Sequence, residues 1–333
     1  MGRLIKFKNP PTVLSSAAVG GKKEAQGSLG GYFDFIDESD KFGQATFEQA
    51  ESEMQRLVLN LALKKVQMSG SSLDCIFAGD LMNQCVASSY GLASFNAPYF
   101  GLYGACSTAA EGLMLGAIAL DSGHFGTVAT VSSSHNSSAE RQFRFPLEYG
   151  SQRPPTAQWT ASAAGAFILN KNQSTCAVKI TEAMPGRIVD KGITDQSNMG
   201  AAMAPAAAST IRDYFFETGH TSSDFDMILT GDLGYEGHAI CRDLLANEGL
   251  IFDERFNDCG KLIYDRKLQD THSGGSGCGC SASVLAGYVM KLFEAGKIKN
   301  VLLIGTGALM SPSSLLQGLS VAGIGHLVRL SNE

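Results

Sequence analysis

The sequence has 333 residues, of which 44% are hydrophobic, 17% charged and 38 are glycine; this excludes a disordered chain and suits buried secondary structure joined by tight turns. A formal net charge of −6, without a cluster of lysine and arginine, argues against a nucleic-acid partner. The length predicts two domains or one large α/β unit.

The N-terminal ten residues lack the apolar core of a signal peptide, and no apolar run approaches the ~18 residues of a membrane span. We therefore expect a soluble or peripherally bound protein. The eight cysteines follow no framework spacing, which is typical of free thiols in a reducing compartment. Cys278 and Cys280 are a close pair without matching zinc ligands, and no Asp-x-Asp-x-Asp-Gly calcium loop is present. We expect no bound metal and no cofactor.

The first clear element along the chain is a helix from Phe47 to Met68, which follows an irregular segment rich in glycine and serine over residues 11–45. A strand over Leu73 to Leu81 comes next. Its Asp, Ile, Gly, Asp and Leu recur over Phe225 to Leu233, 152 residues further on. Such self-similarity predicts one structural unit used twice.

A nearly uncharged helix follows within Gly101 to Leu120, headed by Cys106, and a strand over Thr127 to Ser132 comes after it. The second copy repeats this order, with Cys280 before a helix that ends at Gly296 and a strand over Asn300 to Gly305. We predict two duplicated βαβ-type halves, residues 1–170 and 171–333, joined at a polar linker over 170–175. Alternating strands and helices predict parallel sheets, and the pseudo-symmetry brings the starts of the two buried helices together.

The sulfur of Cys106 is the candidate reactive atom. Thr108 and Glu111 have the spacing of a capping box, which would place Cys106 on the loop entering the helix. Unpaired N–H groups and the positive end of the helix dipole favour a thiolate there. The alternative is a small buried hydrophobic residue.

Four segments in order resemble the thiolase and ketoacyl-synthase superfamily. Cys106 has the position of the family's nucleophile, and His272-Ser-Gly-Gly-Ser-Gly resembles the segment of its catalytic histidine. The segment from Asn198 to Ala207 resembles the thiolase pocket loop, and Gly305-Thr-Gly307 resembles the glycine-rich turn that supplies backbone donors. The resemblance implies a layered αβαβα fold. It also implies ligand-lining roles for Met199 and Met203 in the pocket loop and for Gly305 and Gly307.

The catalytic set of that superfamily is incomplete in this sequence. Ketoacyl synthases of the third type have His-Gln-Ala-Asn where this chain has Gly231-Asp-Leu-Gly234, and the second thiolase cysteine is missing from 303–307. Asp232 cannot replace an uncharged donor without repelling an oxyanion. Cys106 and His272 are therefore either catalytic or vestigial.

A narrower resemblance, to the stage V sporulation protein AD family of spore-forming bacteria, rests on Thr12 to Gly21, Gly30 to Phe35, Phe42 to Glu51 and the segment around Cys106. It implies a thiolase-like protein that binds dipicolinic acid and helps to move it, with calcium, into the developing spore, with a link to spore germination. It also implies membrane proteins of the same sporulation operon as partners, at the cytoplasmic face of the forespore or spore inner membrane. Thiolase-like proteins pair through their first-half sheet, which implies a homodimer.

Further site candidates follow from position. Asp80 and Asp232 lie at equivalent strand ends, either as turn residues or as carboxylates facing one cleft. His238 could reach the same pocket, whereas His124, His135 and His326 are expected at the surface or in loops. Candidate cationic donors for a dianionic ligand are Arg141, Arg144, Arg153, Arg187 and Lys191.

Two functions remain open at this point. The first is a receptor that holds dipicolinate, alone or as its calcium chelate, in a thiolase-type cleft lined by Cys106, His272, Asp80, Asp232 and His238. The second is an active acyltransferase or acyl-thioester hydrolase working through Cys106 and His272. A weaker third is a structural organiser of a membrane complex.

Overall fold

The computed structural model describes residues 2–143, 152–172 and 177–333. The described residues of the first half form eight strands, namely β1 Ile5–Lys6, β2 Thr12–Gly21, β3 Phe35–Asp37, β4 Cys75–Gly79, β5 Tyr99–Gly101, β6 Thr127–Ser134, β7 Trp159–Thr160 and β8 Ala163–Asn170. Those of the second half form six, namely β9 Lys179–Met184, β10 Met227–Thr230, β11 Phe256–Asp258, β12 Gly275–Ser276, β13 Asn300–Leu309 and β14 Ala322–Ser331.

Eleven α-helices accompany these strands in the described ranges. They are α1 Lys22–Ala25, α2 Phe47–Lys65, α3 Val86–Leu92, α4 Thr108–Asp121, α5 Asn136–Phe143, α6 Met199–Thr218, α7 Gly234–Asn247, α8 Cys259–Leu262, α9 Cys278–Ser283, α10 Met290–Glu294 and α11 Pro312–Leu316. A π-helical turn, Val284–Val289, joins α9 to α10. The helix predicted from Phe47 and the one behind Cys106 are confirmed as α2 and α4.

The two halves of the chain have the same strand order. The large sheet runs β11-β10-β13-β14-β9-β2-β8-β6-β4-β5, and the two halves meet at the β2–β9 pair. Outward from that pair, the order β2-β8-β6-β4-β5 of the first half corresponds to the order β9-β14-β13-β10-β11 of the second. In each half the middle strands are parallel, whereas the last strand, β8 or β14, is antiparallel to both neighbours. The prediction of parallel sheets is wrong for these strands. In the second half the reason is local, because β13 and β14 form a hairpin that needs no crossover helix.

The helices form layers on and between these strands. Helix α4 contacts β4 and β6 of the first half and β13 and β14 of the second, and it also contacts α9. Helix α2 covers the first-half strands on the other side, and α6 covers β13 and β14. This is the predicted αβαβα arrangement. Leu113 and Ala117 of α4 are fully buried, which explains why this helix carries almost no charge.

The predicted linker over 170–175 falls partly outside the described residues, as does Arg144.

Candidate functional site

Cys106 lies in the turn that enters α4. The preceding residue, Ala105, has a φ of 50°, and Ser107 is the N-cap. The predicted capping box is wrong, because the Thr108 hydroxyl turns back to donate to the Ala105 carbonyl at 2.7 Å and to accept from the Gly104 N–H at 3.1 Å. This hydroxyl fixes the bend that presents Cys106 to the second half of the chain.

The surroundings of Cys106 hold it as a thiol. Its side chain is buried and lies close enough to the Asp232 carboxylate, to Cys278 and to the Gly277 N–H for each of them to act on the pKa of the thiol. Burial first, then the charge of Asp232 and the neighbouring Cys278, raise the pKa of Cys106 well above its usual value. The predicted thiolate is therefore wrong, because these effects outweigh the helix N-terminus.

Asp232 is fixed from three segments of the chain. Its Oδ1 accepts a hydrogen bond from the Thr306 hydroxyl at 2.7 Å, and its Oδ2 accepts one from the Gly277 N–H at 2.8 Å. Its carbonyl oxygen accepts from the Gln158 amide at 2.6 Å. The side chain is fully buried, and this burial raises the pKa of the carboxyl group. Of the residues predicted from sequence, Asp232 is the one that the structure places against Cys106.

Asp80, at the equivalent strand end of the first half, holds the chain that follows it. Its carboxylate accepts from the Met82 N–H at 2.9 Å and from the N–H and hydroxyl of Ser88 at 2.9 and 2.6 Å. It belongs to a buried polar group with Glu51, whose carboxylate accepts from Ser133 at 2.9 Å and whose pKa is raised to about 8 by burial and by Asp80. The charges of Glu51, Asp80 and Asp232 all raise the pKa of Cys278, after burial.

His272 is turned away from the thiol. Its backbone has a φ of 49°, its Nδ1 donates to the Pro154 carbonyl at 2.8 Å, and its Nε2 lies 2.9 Å from Asp270. Since both ring nitrogens face oxygen atoms, neither offers a free lone pair for a proton from Cys106. The structure does not bring the predicted catalytic pair together. The cause is local, because the left-handed residue leads straight into β12, which pairs with β7.

His238 does not reach the cysteine either. It lies on α7 with its ring 4.6 Å from that of Phe256, and its Nδ1 accepts from the Lys261 ammonium at 3.3 Å. Burial and the adjacent Lys261 lower its pKa to about 4. This histidine is a neutral packing residue between α7 and α8.

The pocket loop predicted around Met199 and Met203 is wrong, because these residues form the first turns of α6. Asn198 caps the helix by accepting from the Ala201 N–H at 3.3 Å. Met203 is fully buried in the second-half core, and Met199 packs against the same core. The sequence Met-Gly-Ala-Ala-Met-Ala has high helix propensity, which the family motif obscured.

Gly305 and Gly307 do pack against the cysteine turn. A Cβ at Gly305 would lie 3.0 Å from the Ser107 carbonyl oxygen, and one at Gly307 would lie 2.3 Å from the Gly104 carbonyl oxygen. These positions on β13 thus require glycine for the close approach of the Cys106 turn.

Two of the three histidines expected at the surface or in loops are buried: His135 in a connection between elements and His326 within β14. His135 donates from Nε2 to the Asp40 carbonyl at 2.8 Å, and His326 accepts at Nδ1 from the Gly186 N–H at 3.1 Å. Each fixes a connection in the backbone rather than facing solvent.

Comparison with known proteins identifies the family. A family model described as stage V sporulation protein AD matches residues 2–331. Stage V sporulation protein AD of Bacillus subtilis (strain 168) is 39% identical over 320 residues, which cover 96% of this chain and 94% of the relative. The chain belongs to the stage V sporulation protein AD family.

Solved structures show the fold of this family member to be thiolase-like. A variant of Xanthomonas campestris OleA has a TM-score of 0.62 at 13% identity, over 98% of this chain and 99% of that one. The 3-oxoacyl-(acyl carrier protein) synthase III of Pseudomonas aeruginosa PAO1 has a TM-score of 0.60 at 14% identity, over 97% and 98%. At this identity the likeness extends to the fold alone.

Three residues of the site escaped the sequence analysis, namely Gln158, Thr306 and Cys278. Thr306 lies between Gly305 and Gly307, but the resemblance to the family motif predicted a role only for the two glycines. Cys278 was visible only as half of a close pair, although it is the one that adjoins Cys106. Gln158 carries no sequence pattern.

The described part of the chain contains no helix long and apolar enough to span a membrane. Within the same residues, no group of three or more histidine, cysteine, aspartate or glutamate side chains is arranged to hold a metal ion.

Proposed function

We propose that this protein binds dipicolinic acid, alone or as its calcium chelate, in its thiolase-type cleft and assists its uptake into the developing spore. Membership of the stage V sporulation protein AD family supports the sporulation role. The observation that carries the choice of a receptor is the pairing of Cys106 with Asp232, while His272 is held by Pro154 and Asp270.

This pairing opposes acyl transfer at two steps. Attack on a thioester needs a thiolate, and the buried carboxylate of Asp232 raises the pKa of the Cys106 thiol. The oxyanion that would form beside Cys106 would also face the charge of Asp232 rather than an uncharged donor. A cleft with these properties suits reversible binding better than turnover.

We also propose the partners and location that the family implies. The protein acts at the cytoplasmic face of the forespore inner membrane, beside membrane proteins of the same sporulation operon. It forms a homodimer. The edge strand β5 supports pairing of two copies, because Tyr99, Phe100 and the following Tyr103 all have exposed side chains there.

Sedimentation velocity tests the dimer. We expect the wild type to sediment as a dimer and Phe100→Arg to shift it to monomer. Leu268→Arg, at a residue that is 83% exposed on another segment, is the matched control. A wild-type monomer, or a Phe100→Arg dimer of unchanged affinity, contradicts pairing through β5.

Isothermal titration with dipicolinate tests the receptor. We expect saturable binding by the wild type, retained in Cys106→Ser, and no heat from acyl-coenzyme A. Absence of dipicolinate binding, together with an acyl-coenzyme A response that Cys106→Ala abolishes, would return the chain to the acyltransferases.

A further inference from the structure

Two cationic side chains converge on the indole ring of Trp159. The Lys23 ammonium lies 3.9 Å from the ring centroid, and the Arg153 guanidinium carbon lies 4.9 Å from it. Lys23 comes from α1, Trp159 from β7, and Arg153 from the segment before β7. Three segments of the chain thus place positive charge and an aromatic ring together.

The charge of this cluster is only partly compensated. The Arg153 side chain is 10% exposed, and its Nη2 binds the carboxylate and the carbonyl oxygen of Asp270 at 2.5 and 3.2 Å. Its Nη1 is buried and has no hydrogen-bond partner among the described residues. Asp270 is 70% exposed and also serves His272, so one solvated carboxylate faces several donors. A buried guanidinium nitrogen without a hydrogen-bond partner destabilises the folded protein unless an anion accepts its hydrogen bond.

Gln158 connects the segment that carries this cluster to the Cys106 site. It precedes Trp159, and its side-chain amide donates both to the Asp232 carbonyl, at 2.6 Å, and to the Gly275 carbonyl, at 2.9 Å. Asp232 in turn lies close enough to Cys106 to raise the pKa of its thiol. The segment with Arg153 and Trp159 is therefore tied through Gln158 to the residue that faces the thiol.

We propose that Arg153 and Lys23 bind the carboxylates of a planar aromatic dicarboxylate beside Trp159. The inference rests on the proposed function and names the donors for dipicolinate. A guanidinium or ammonium group donates charge-assisted hydrogen bonds to carboxylate oxygens, and an indole packs edge to face as well as stacked against another aromatic ring. Two of the other candidate donors are worse placed, since Arg141 pairs with Glu48 at 3.1 Å and Arg187 is 62% exposed.

Trp159 is the only tryptophan in the sequence, so its fluorescence reports on this cluster alone. The test titrates the full-length protein with dipicolinate, with excitation at the long-wavelength edge of indole absorption and calorimetry in parallel. We expect a saturable fluorescence change in the wild type. Arg153→Gln and Lys23→Gln should each weaken binding roughly ten- to hundredfold, the loss of one charged hydrogen bond. Arg187→Gln is the matched control and should bind as the wild type does.

The outcomes separate the two proposals. If calorimetry shows dipicolinate binding but neither Arg153→Gln nor Lys23→Gln weakens it, the donors are wrong and the receptor stands. If the wild type does not bind dipicolinate by either readout, both proposals fail. A fluorescence response to coenzyme A that depends on Arg153, without one to dipicolinate, assigns the cluster to a nucleotide and overturns the inference. Circular dichroism checks that each variant folds. If Arg153→Gln does not fold, the dipicolinate affinity of Lys23→Gln decides whether the cluster binds the ligand.

Discussion

Cys106 has the position of a nucleophile and the electrostatics of a buried thiol. Two residues decide this. The charge of Asp232 raises the pKa of the thiol, and His272 directs both ring nitrogens to other oxygen atoms. Among the described residues the cysteine turn is present, but no histidine adjoins the thiol to activate it.

Replacing Asp232 with asparagine should make Cys106 more reactive. The substitution removes the negative charge that raises the thiol pKa, so we expect alkylation of Cys106 by iodoacetamide at pH 8 to accelerate severalfold. Peptide mass spectrometry measures the rate at Cys106. Asp195→Asn, at an exposed aspartate, is the control, and an unchanged rate in Asp232→Asn would show that the carboxylate does not govern the thiol.

At the scale of elements, β13 presses against the start of α4. The contact depends on the absence of side chains at Gly305 and Gly307, whose Cβ atoms would meet the backbone of the Cys106 turn. Gly112, inside α4, differs because a Cβ there would lie 3.7 Å from its nearest neighbours, Leu102 and Thr130.

Alanine at Gly307 and alanine at Gly112 should change the free energy of unfolding in opposite directions. Gly307→Ala forces the Gly104 carbonyl aside and should lower the free energy of unfolding by about 1–3 kcal/mol. Gly112→Ala fills ordinary space in a helix and should raise it by about 0.5–1 kcal/mol. Urea denaturation gives both values, and destabilisation by Gly112→Ala equal to that by Gly307→Ala would contradict the packing described for this helix.

At the scale of the whole molecule, burial raises the pKa of several carboxyl groups, so that the folded state keeps their protons to higher pH than the unfolded chain does. Burial raises the pKa of Glu24 and Asp258 to about 7 and that of Glu51 to about 8. A raised pKa means that the folded state holds a proton which the unfolded state has released. The resulting stabilisation is present at low pH and is lost as the pH rises through the folded-state pKa.

Stability should therefore fall between pH 7 and 8.5. We expect the free energy of unfolding of the wild type to decrease by about 2 kcal/mol over this range, with about 1 kcal/mol of it from Glu51. Glu51→Gln imitates the protonated acid and should flatten the profile by that amount, whereas Glu53→Gln on the outer face of α2 should not. Parallel profiles for wild type and Glu51→Gln would show that Glu51 is ionised in the folded protein.

Much of the fold could be predicted from the sequence, because local residue patterns indicate its helices and strands. The repeated Asp-Ile-Gly-Asp-Leu segments identified β4 and β10, and the small-residue run behind Cys106 identified α4. The antiparallel direction of β8 and β14 was not predicted, because burial on both faces gives these strands the same apolar composition as parallel strands.

The site was harder because its contacts join distant segments. Asp232 meets Gly277 and Thr306, and no local pattern reports such a meeting. The direction of the His272 ring depends on a left-handed backbone residue that a motif match does not reveal. Met203 was misplaced because the motif suggested a loop where helix propensity is high.

Intact-mass spectrometry after incubation with an acyl-coenzyme A tests most directly whether this thiolase-like site is a working acyl transferase. We expect no covalent acyl adduct at pH 7–8 for the wild type, because Asp232 raises the pKa of the Cys106 thiol and His272 does not contact it. A stoichiometric adduct that disappears in both Cys106→Ala and His272→Ala would contradict it.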